Sequence, residues 1–337
     1  MRATTTAAAG AGAGAGRGGP GLRGPAWLVL RQHRSTAWFA LGGLIALLAL
    51  LVTLRFAIVD YVDANDLEAA CTTDAACKPA MQGTVDTFRG NLADPLHYIG
   101  RLIELLPVMT GAFVAGPLIA RELESGTYKL AWTQSLSPLR WLAVKLAVPG
   151  LAVLAGLSLL SAVYTWVWRE LPVGLVPGQW WFRSYDMVGP VPVAQSLLAL
   201  AVGAVVGLLL GRTVAAMGAT ALTVYLVTGA LGSLRQKLTG PVTELSADMP
   251  ELVRDGGEWF TQRGMIGQDG GRIAEPDCGV GVSPEDCLAQ HGATGWYVDY
   301  HPASHLWPMQ WAEAGITVAL AGLVGGAAFW LLRRRCA

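Results

Sequence analysis

The residues best suited to chemistry are two of the five histidines, His301 and His305, which lie four positions apart. On a helix this spacing presents two imidazoles on one face, as a zinc site requires. Pro302 and Pro308 interrupt any such helix, and no His-Glu-x-x-His motif supplies a carboxylate. The pattern therefore favours ordinary histidines at a membrane interface, and we predict no metal site.

Nucleotide chemistry has no support in this chain either. The motif Gly-x-x-x-x-Gly-Lys-Ser/Thr, whose backbone amides hold phosphate groups, does not occur. We therefore expect no cofactor bound to this chain and no ATP hydrolysis by it.

Six long runs contain no Asp, Glu, Lys, Arg or His: residues 35–54, 105–120, 146–168, 187–211, 213–234 and 314–332. Proton-driven transporters and intramembrane proteases bury such groups at mid-bilayer, because their chemistry depends on them. Their absence argues against both classes. Any work done by this protein must be driven from outside these runs.

These runs predict an all-α polytopic membrane protein with six transmembrane helices. The chain is 53% hydrophobic and 14% charged, against roughly 25% charged in soluble domains. Most runs reach the roughly 20 residues that cross a bilayer as a helix. The second is the weakest, since it has only 16 uncharged residues with Pro107 and Pro117 among them. It needs Ile99 to Glu104 as an outer turn, with Arg101 and Glu104 pairing or reaching the interface.

The basic residues predict the orientation. With both termini cytoplasmic, the inner segments carry 13 of the 24 lysines and arginines but only two of the 24 acids, Glu122 and Glu124. This asymmetry follows the positive-inside rule, and Arg333 to Arg335 anchor the last helix inside. We therefore predict a multi-pass protein of the cell membrane, in contact with lipid. A net charge of zero carries no signal for nucleic acid, and no such partner is expected.

Four regions follow along the chain. Residues 1–26 form an Ala/Gly-rich tail that we expect to be disordered. Residues 27–231 hold helices one to five and the cytoplasmic loop 121–145. Residues 232–311 form an extracytoplasmic segment, predicted to be largely irregular and partly helical without a substantial core. Residues 312–337 hold the sixth helix and a basic tail.

The cysteines agree with this topology. Cys71 and Cys77 fall in the first outer loop, Cys278 and Cys287 in the last, and Cys336 inside. Disulfides form in oxidising compartments, so the two outer pairs are disulfide candidates. Four cysteines allow three connectivities; we favour the local pairs, with four free thiols as the alternative.

Small residues predict close helix packing. Gly203, Gly207 and Gly211 recur every fourth position, as do Gly322 and Gly326. This spacing lets a neighbouring helix approach along one face, within the chain or in a dimer.

The loop from Arg121 to Lys145 has the strongest turn signals in the chain. Ser125-Gly126 can end the second helix, with glycine as the left-handed cap. Thr127 is an N-cap for a short helix, and Ser137-Pro138 can begin the third helix. The pattern predicts a short crosswise helix on the inner membrane face; a basic loop anchored by two tryptophans is the alternative.

This loop resembles the inner loop of type-2 ABC exporter permeases. The matching residues are Glu122-x-x-x-Gly126-Thr127, Lys129-Leu130, Thr133, Ser137-Pro138-x-Arg140 and Lys145. A stretch before the last helix, from Tyr300 through Trp307 and Gln310 to Glu313, resembles one that recurs in a subgroup of that family.

The resemblance implies a permease subunit whose loop 121–145 is a coupling helix docked on a separate ABC ATPase. Two permeases, as a homodimer or heterodimer, would work with two ATPases, and ATP and Mg²⁺ would bind in the ATPase. The implied docking residues are Glu122, Glu124, Gly126, Thr127, Tyr128, Leu130 and Trp132. The apolar pathway suits export of a lipophilic small molecule or lipid.

Two functions from other classes compete with transport. One is a membrane sensor or scaffold whose outer segment binds a ligand. The other is a membrane enzyme that acts on lipid with the carboxylates and histidines of its outer loops.

Overall fold

The computed structural model describes residues 34–67, 79–129, 137–172, 180–181, 184–249, 257–274, 278 and 281–336. Several predictions fall outside these residues: the tail 1–26, the pair Cys71 and Cys77, and the docking residues Leu130 and Trp132.

The described chain is mostly helical, with six helices long and apolar enough to cross a membrane. They are α1 (Arg34–Ala64), α2 (Gln82–Ser125), α3 (Pro138–Trp168), α4 (Val191–Leu210), α5 (Thr213–Leu234) and α7 (Leu306–Cys336). This confirms the six predicted spans.

Helix α2 begins earlier than predicted. It runs for 44 residues from Gln82, so Ile99 lies well inside it. Arg89–Ala93 and Thr110–Ala115 are wound as π-helix. The second of these stretches contains the carbonyl four residues before Pro117, which the proline ring would crowd in an ordinary helix. Arg101 and Glu104 pair at 2.6 Å, as predicted.

Helix α4 is the centre of the bundle and packs against α2, α3, α5 and α7. A Cβ atom at Gly203 would overlap Ala115, and one at Gly207 would lie 3.2 Å from the Cβ of Ile119. Gly211 ends α4 with φ +58°. These glycines therefore bring α2 and α4 together and close the turn to α5.

The prediction for Gly322 and Gly326 is not met within this chain. A Cβ atom at either position would meet nothing within 4 Å. Both residues lie on an exposed face of α7, so they pack no described helix of the same chain.

The segment before the last helix is not largely irregular, and that prediction is wrong. It contains the strands β1 (Val242–Ser246), β2 (Trp259–Gly267), β3 (Arg272–Ala274) and β4 (Ala293–His301). They form one antiparallel sheet in the order β1-β4-β2-β3. The chain is therefore not purely α-helical.

The sheet has a small core of its own. Met265, Cys287 and Trp296 are buried together, and the short helix α6 (Pro284–Gln290) covers them. Cys278 and Cys287 form a disulfide with their Cα atoms 5.5 Å apart, the local pairing that the sequence favours. Trp259 connects the sheet to the segment between α3 and α4, because its ring stacks on Trp181 with centroids 5.6 Å apart.

The bundle thus has two different ends. We call the end with the sheet, where α4 and α7 begin, the sheet end. We call the opposite end, where α2 finishes and α3 begins, the loop end.

Candidate coupling site at the loop end

The loop end begins with the turn that finishes α2. Gly126 has φ +73° and caps the helix in the left-handed conformation, as its sequence position predicts. Helical geometry resumes at Tyr128. Helix α3 then starts at Pro138, with the amide of Arg140 donating to the Oγ of Ser137 at 3.4 Å. Both turn predictions agree with the backbone.

Glu122 connects α2 to α3. The indole N–H of Trp141 donates to its Oε2 at 2.9 Å, and the ammonium of Lys145 pairs with its Oε1. The Glu122 side chain is 16% exposed and that of Lys145 only 6%. Glu122 therefore holds two helices together and does not present a free carboxylate for docking.

Glu124 connects α2 to α5. Its Oε2 accepts hydrogen bonds from the amide of Thr213 at 2.8 Å and from the Thr213 hydroxyl at 2.5 Å. Thr213 is the first residue of α5, where the amides lack helical partners. A carboxylate is well suited to this position because it also complements the positive end of the helix dipole.

The remaining described docking residues lie beside a small apolar cluster. Tyr128 packs against it, while Thr127 is exposed and its hydroxyl lies 3.0 Å from that of Ser125. The cluster joins the loop ends of four helices: Leu118, Ile119, Trp141, Leu142, Ala204, Leu208, Ala328 and Leu332. A force on Tyr128 would therefore reach α2, α3, α4 and α7 through direct contacts.

The sheet end holds a buried ion network that sequence reasoning missed. Arg235, just after α5, donates to Asp186 Oδ2 at 2.7 Å and to Glu313 Oε2 at 2.8 Å. Its guanidinium carbon also lies 4.1 Å from the ring centroid of Tyr185. Burial, followed by the charge of Glu313, raises the pKa of Tyr185. One feature of the sequence could have indicated this network: all three charged residues border predicted spans.

The amide of Gln310 strengthens the same region. Its Nε2 donates to the carbonyl of Tyr185 at 2.6 Å, and its Oε1 accepts from the amide of Val191 at 3.4 Å. The stretch that resembled a family motif before the last span thus supplies Gln310, which fixes the start of α4, and Glu313, which binds Arg235 after α5.

His301 ends β4, and His305 immediately precedes α7. Their Nδ1 atoms lie 3.1 Å apart. Among the described residues, the one group of at least three side chains with metal-ligand spacing is Cys278, Cys287 and His291. Its two cysteines form the disulfide and offer no thiolates.

The comparisons with known proteins give one family. The model of the family described as "ABC-2 membrane transporter related" matches residues 41–235, more than half of the chain. The matched region contains most of α1, all of α2 to α5 and the whole loop 121–145. No curated protein matches the chain.

Proposed function

We propose a function from one premise: the chain belongs to the ABC-2 membrane transporter related family. That membership supports a transporter permease. The further proposal is that this permease is driven by a separate ABC ATPase and exports a lipophilic small molecule or lipid. Both termini would be cytoplasmic, in the cell membrane, and the working unit would contain two permeases and two ATPases.

The observation that carries the proposal is the pair of carboxylates at the end of α2. Glu122 binds α3 and Glu124 binds α5, from positions two residues apart. A displacement of the end of α2 would therefore move three helices together. An ATPase bound to this loop would have a mechanical connection to the bundle. A permease needs such a connection if the uncharged runs of its spans contain no group to couple transport to protons.

We assign the predicted docking residues to two roles. Glu122 and Glu124 transmit movement, because they are bonded within the chain. Gly126, Thr127 and Tyr128 would form the surface that the ATPase contacts, and Leu130 and Trp132, outside the described residues, keep their predicted docking role. Closure of the ATPase pair on ATP would shift the spans between inward-open and outward-open states.

Copurification with a co-expressed candidate ABC ATPase tests the docking role. Thr127→Arg adds a bulky cation to the exposed surface next to the left-handed cap, without removing a contact between helices. We expect at least a tenfold lower yield of copurified ATPase, which corresponds to the loss of about 1.4 kcal/mol of binding energy.

Arg333→Gln is the matched control, since Arg333 is exposed at the same end of the bundle on α7. Its yield of ATPase should equal that of the unmodified protein. Full copurification with Thr127→Arg, at unchanged membrane insertion, would show that the loop is not the docking surface.

A further inference from the structure

A cleft of about 750 Å³ opens between α3, α4 and α7 in the half of the bundle near the sheet end. Its volume falls in the range of roughly 300–1,000 Å³ that is usual for ligand sites. The wall is apolar and aromatic, formed chiefly by Leu154, Trp166, Val193, Leu197, Trp311 and Val318.

Two hydroxyl groups in the wall, those of Ser161 and Thr165, are already engaged. The hydroxyl of Ser161 donates to the carbonyl of Gly189 at 2.6 Å, and the hydroxyl of Thr165 donates to the carbonyl of Ser161 at 2.7 Å. The Thr165 hydroxyl also accepts from the amide of Gly189 at 3.2 Å. Apart from the hydroxyl of Ser158, the described wall is then mainly apolar, so the cleft suits hydrocarbon.

A cation lies at the mouth of the cleft. Arg169 directly follows α3, and its guanidinium carbon is 5.1 Å from the ring centroid of Trp307. The adjacent carboxylate, Glu170, is paired instead with Arg55 at 2.6 Å. Within the described part of the chain, no carboxylate pairs with Arg169. An exposed, unpaired guanidinium thus borders an apolar cleft at the end of a membrane span.

We propose that this cleft binds an anionic membrane lipid. The acyl chains would lie against the apolar wall, and the acidic headgroup would bind Arg169. The guanidinium forms charge-assisted bonds with the phosphate of either headgroup. An anionic headgroup is favoured over a zwitterion because it carries no ammonium group to offset that attraction. The position of Arg169 along the span also suits a headgroup, because arginines at the ends of spans and belts of tryptophan lie at the level of the lipid headgroups.

This inference deepens the proposed function, and it rests on that function only for the role of the lipid as cargo. Binding itself requires no ATPase. The test therefore uses the purified full-length chain alone, so failure of the docking proposal does not affect its result.

Native mass spectrometry measures the binding. The chain in detergent is offered equal amounts of phosphatidylglycerol and phosphatidylcholine with the same acyl chains. We expect about five- to tenfold higher retention of phosphatidylglycerol, the gain from one basic residue facing an anionic headgroup. Arg169→Gln should remove this preference, and Arg169→Lys should keep most of it.

A second variant tests the apolar wall. A Cβ atom at Gly315 meets nothing within 4 Å and Gly315 lines the cleft, so Gly315→Phe fills the cleft without a clash in the chain. It should lower retention of both lipids several-fold.

Two controls separate the cleft from general effects of charge or bulk. Arg101→Gln removes a cation elsewhere at the sheet end, and Gly322→Phe adds the same ring to α7 at another open position. Neither should alter lipid retention.

Three results would overturn the proposal. The headgroup contact is wrong if Arg169→Gln keeps the preference, or if Arg101→Gln loses as much of it. The cleft is a contact between two copies of the chain, and not a lipid site, if Gly315→Phe lowers the dimer fraction while lipid retention stays unchanged.

Discussion

The two ends of the helical bundle are held by ion pairs of different design. At the loop end each carboxylate of α2 serves one neighbouring helix, and the Glu122 side chain remains 16% exposed. At the sheet end a single guanidinium, that of Arg235, bridges two carboxylates, and the Glu313 side chain is only 1% exposed. One end is a set of separate pairs, and the other is a network that shares one guanidinium and contains the most deeply buried carboxylate, although its other carboxylate, Asp186, has a side chain that is 29% exposed.

This difference indicates which end changes more easily. Separate pairs can break one at a time, and the exposed Glu124 can exchange its partner for water or a partner subunit at low cost. Charges in a buried network cannot separate without leaving an unpaired charge in a poor solvent. We therefore expect the loop end to yield first when the protein changes conformation. Helix α5 connects the two, because it is held by Glu124 at Thr213 and by Arg235 just after Leu234.

The largest expected effect is that of Arg235→Met. This substitution leaves Asp186 and Glu313 facing each other without their cation, and removal of one member of a buried pair costs about 3–5 kcal/mol. The thermal unfolding midpoint of the purified protein should fall steeply. Adding Glu313→Met should recover part of the loss, because the most deeply buried charge is then also absent.

Arg272→Met provides the matched control for the sheet end. Arg272 also pairs with a carboxylate, Asp299 at 2.8 Å, but its side chain is 49% exposed. Its replacement should cost far less. Equal losses for Arg235→Met and Arg272→Met would mean that burial does not distinguish the network.

A smaller effect is expected for Lys145→Met at the loop end. Glu122 loses its cation but keeps the indole N–H of Trp141, and its partial exposure lets water replace the ammonium. We expect a loss of about 1–3 kcal/mol, the usual range for a hydrogen bond to a charged group, again measured as a lower unfolding midpoint.

Arg140→Met removes an exposed cation from the first turn of the same helix and should leave the midpoint nearly unchanged. A loss for Lys145→Met that exceeds the loss for Arg235→Met would reverse the ranking of the two ends.

The sequence predicted the six long helices well, because a long run of uncharged residues indicates each of them. It failed for the sheet, and the reason lies in β2 and β4. Their pairing is irregular between Phe260 and Gln262 and between Ile266 and Gly267. Such bulges break the alternation of apolar and polar residues that marks a strand.

The coupling site was predictable only in its backbone. Gly126 and the Ser137-Pro138 pair indicate turns through local chemistry, so their positions follow from the sequence. The partners of Glu122 and Glu124 come from other helices, at Lys145 and Thr213. A local sequence pattern does not indicate which distant residues will bind a side chain. Both carboxylates were therefore expected to contact the ATPase.

The smallest expected effect is the response of stability to acid, which we expect at the sheet end and not at the loop end. Burial, followed by the charge of His305, lowers the pKa of His301, against a smaller opposing effect of a backbone hydrogen bond with Gln236. The unfolded chain then binds a proton more readily than the folded one. Stability should be constant above about pH 7 and fall as the pH drops through about 6.5, the value of a free histidine.

Hydrogen exchange at pH 7.5 and pH 5.5 locates this response. Among the described residues every histidine lies at the sheet end, so peptides from β4 should exchange faster in acid while peptides covering 118–129 stay unchanged. His301→Gln should remove most of the difference, and His291→Gln, which alters an exposed histidine of the same unit, should retain it. Faster exchange at the loop end alone would contradict the assignment, because acid would then act through carboxylates such as Glu122 and not through a buried imidazole.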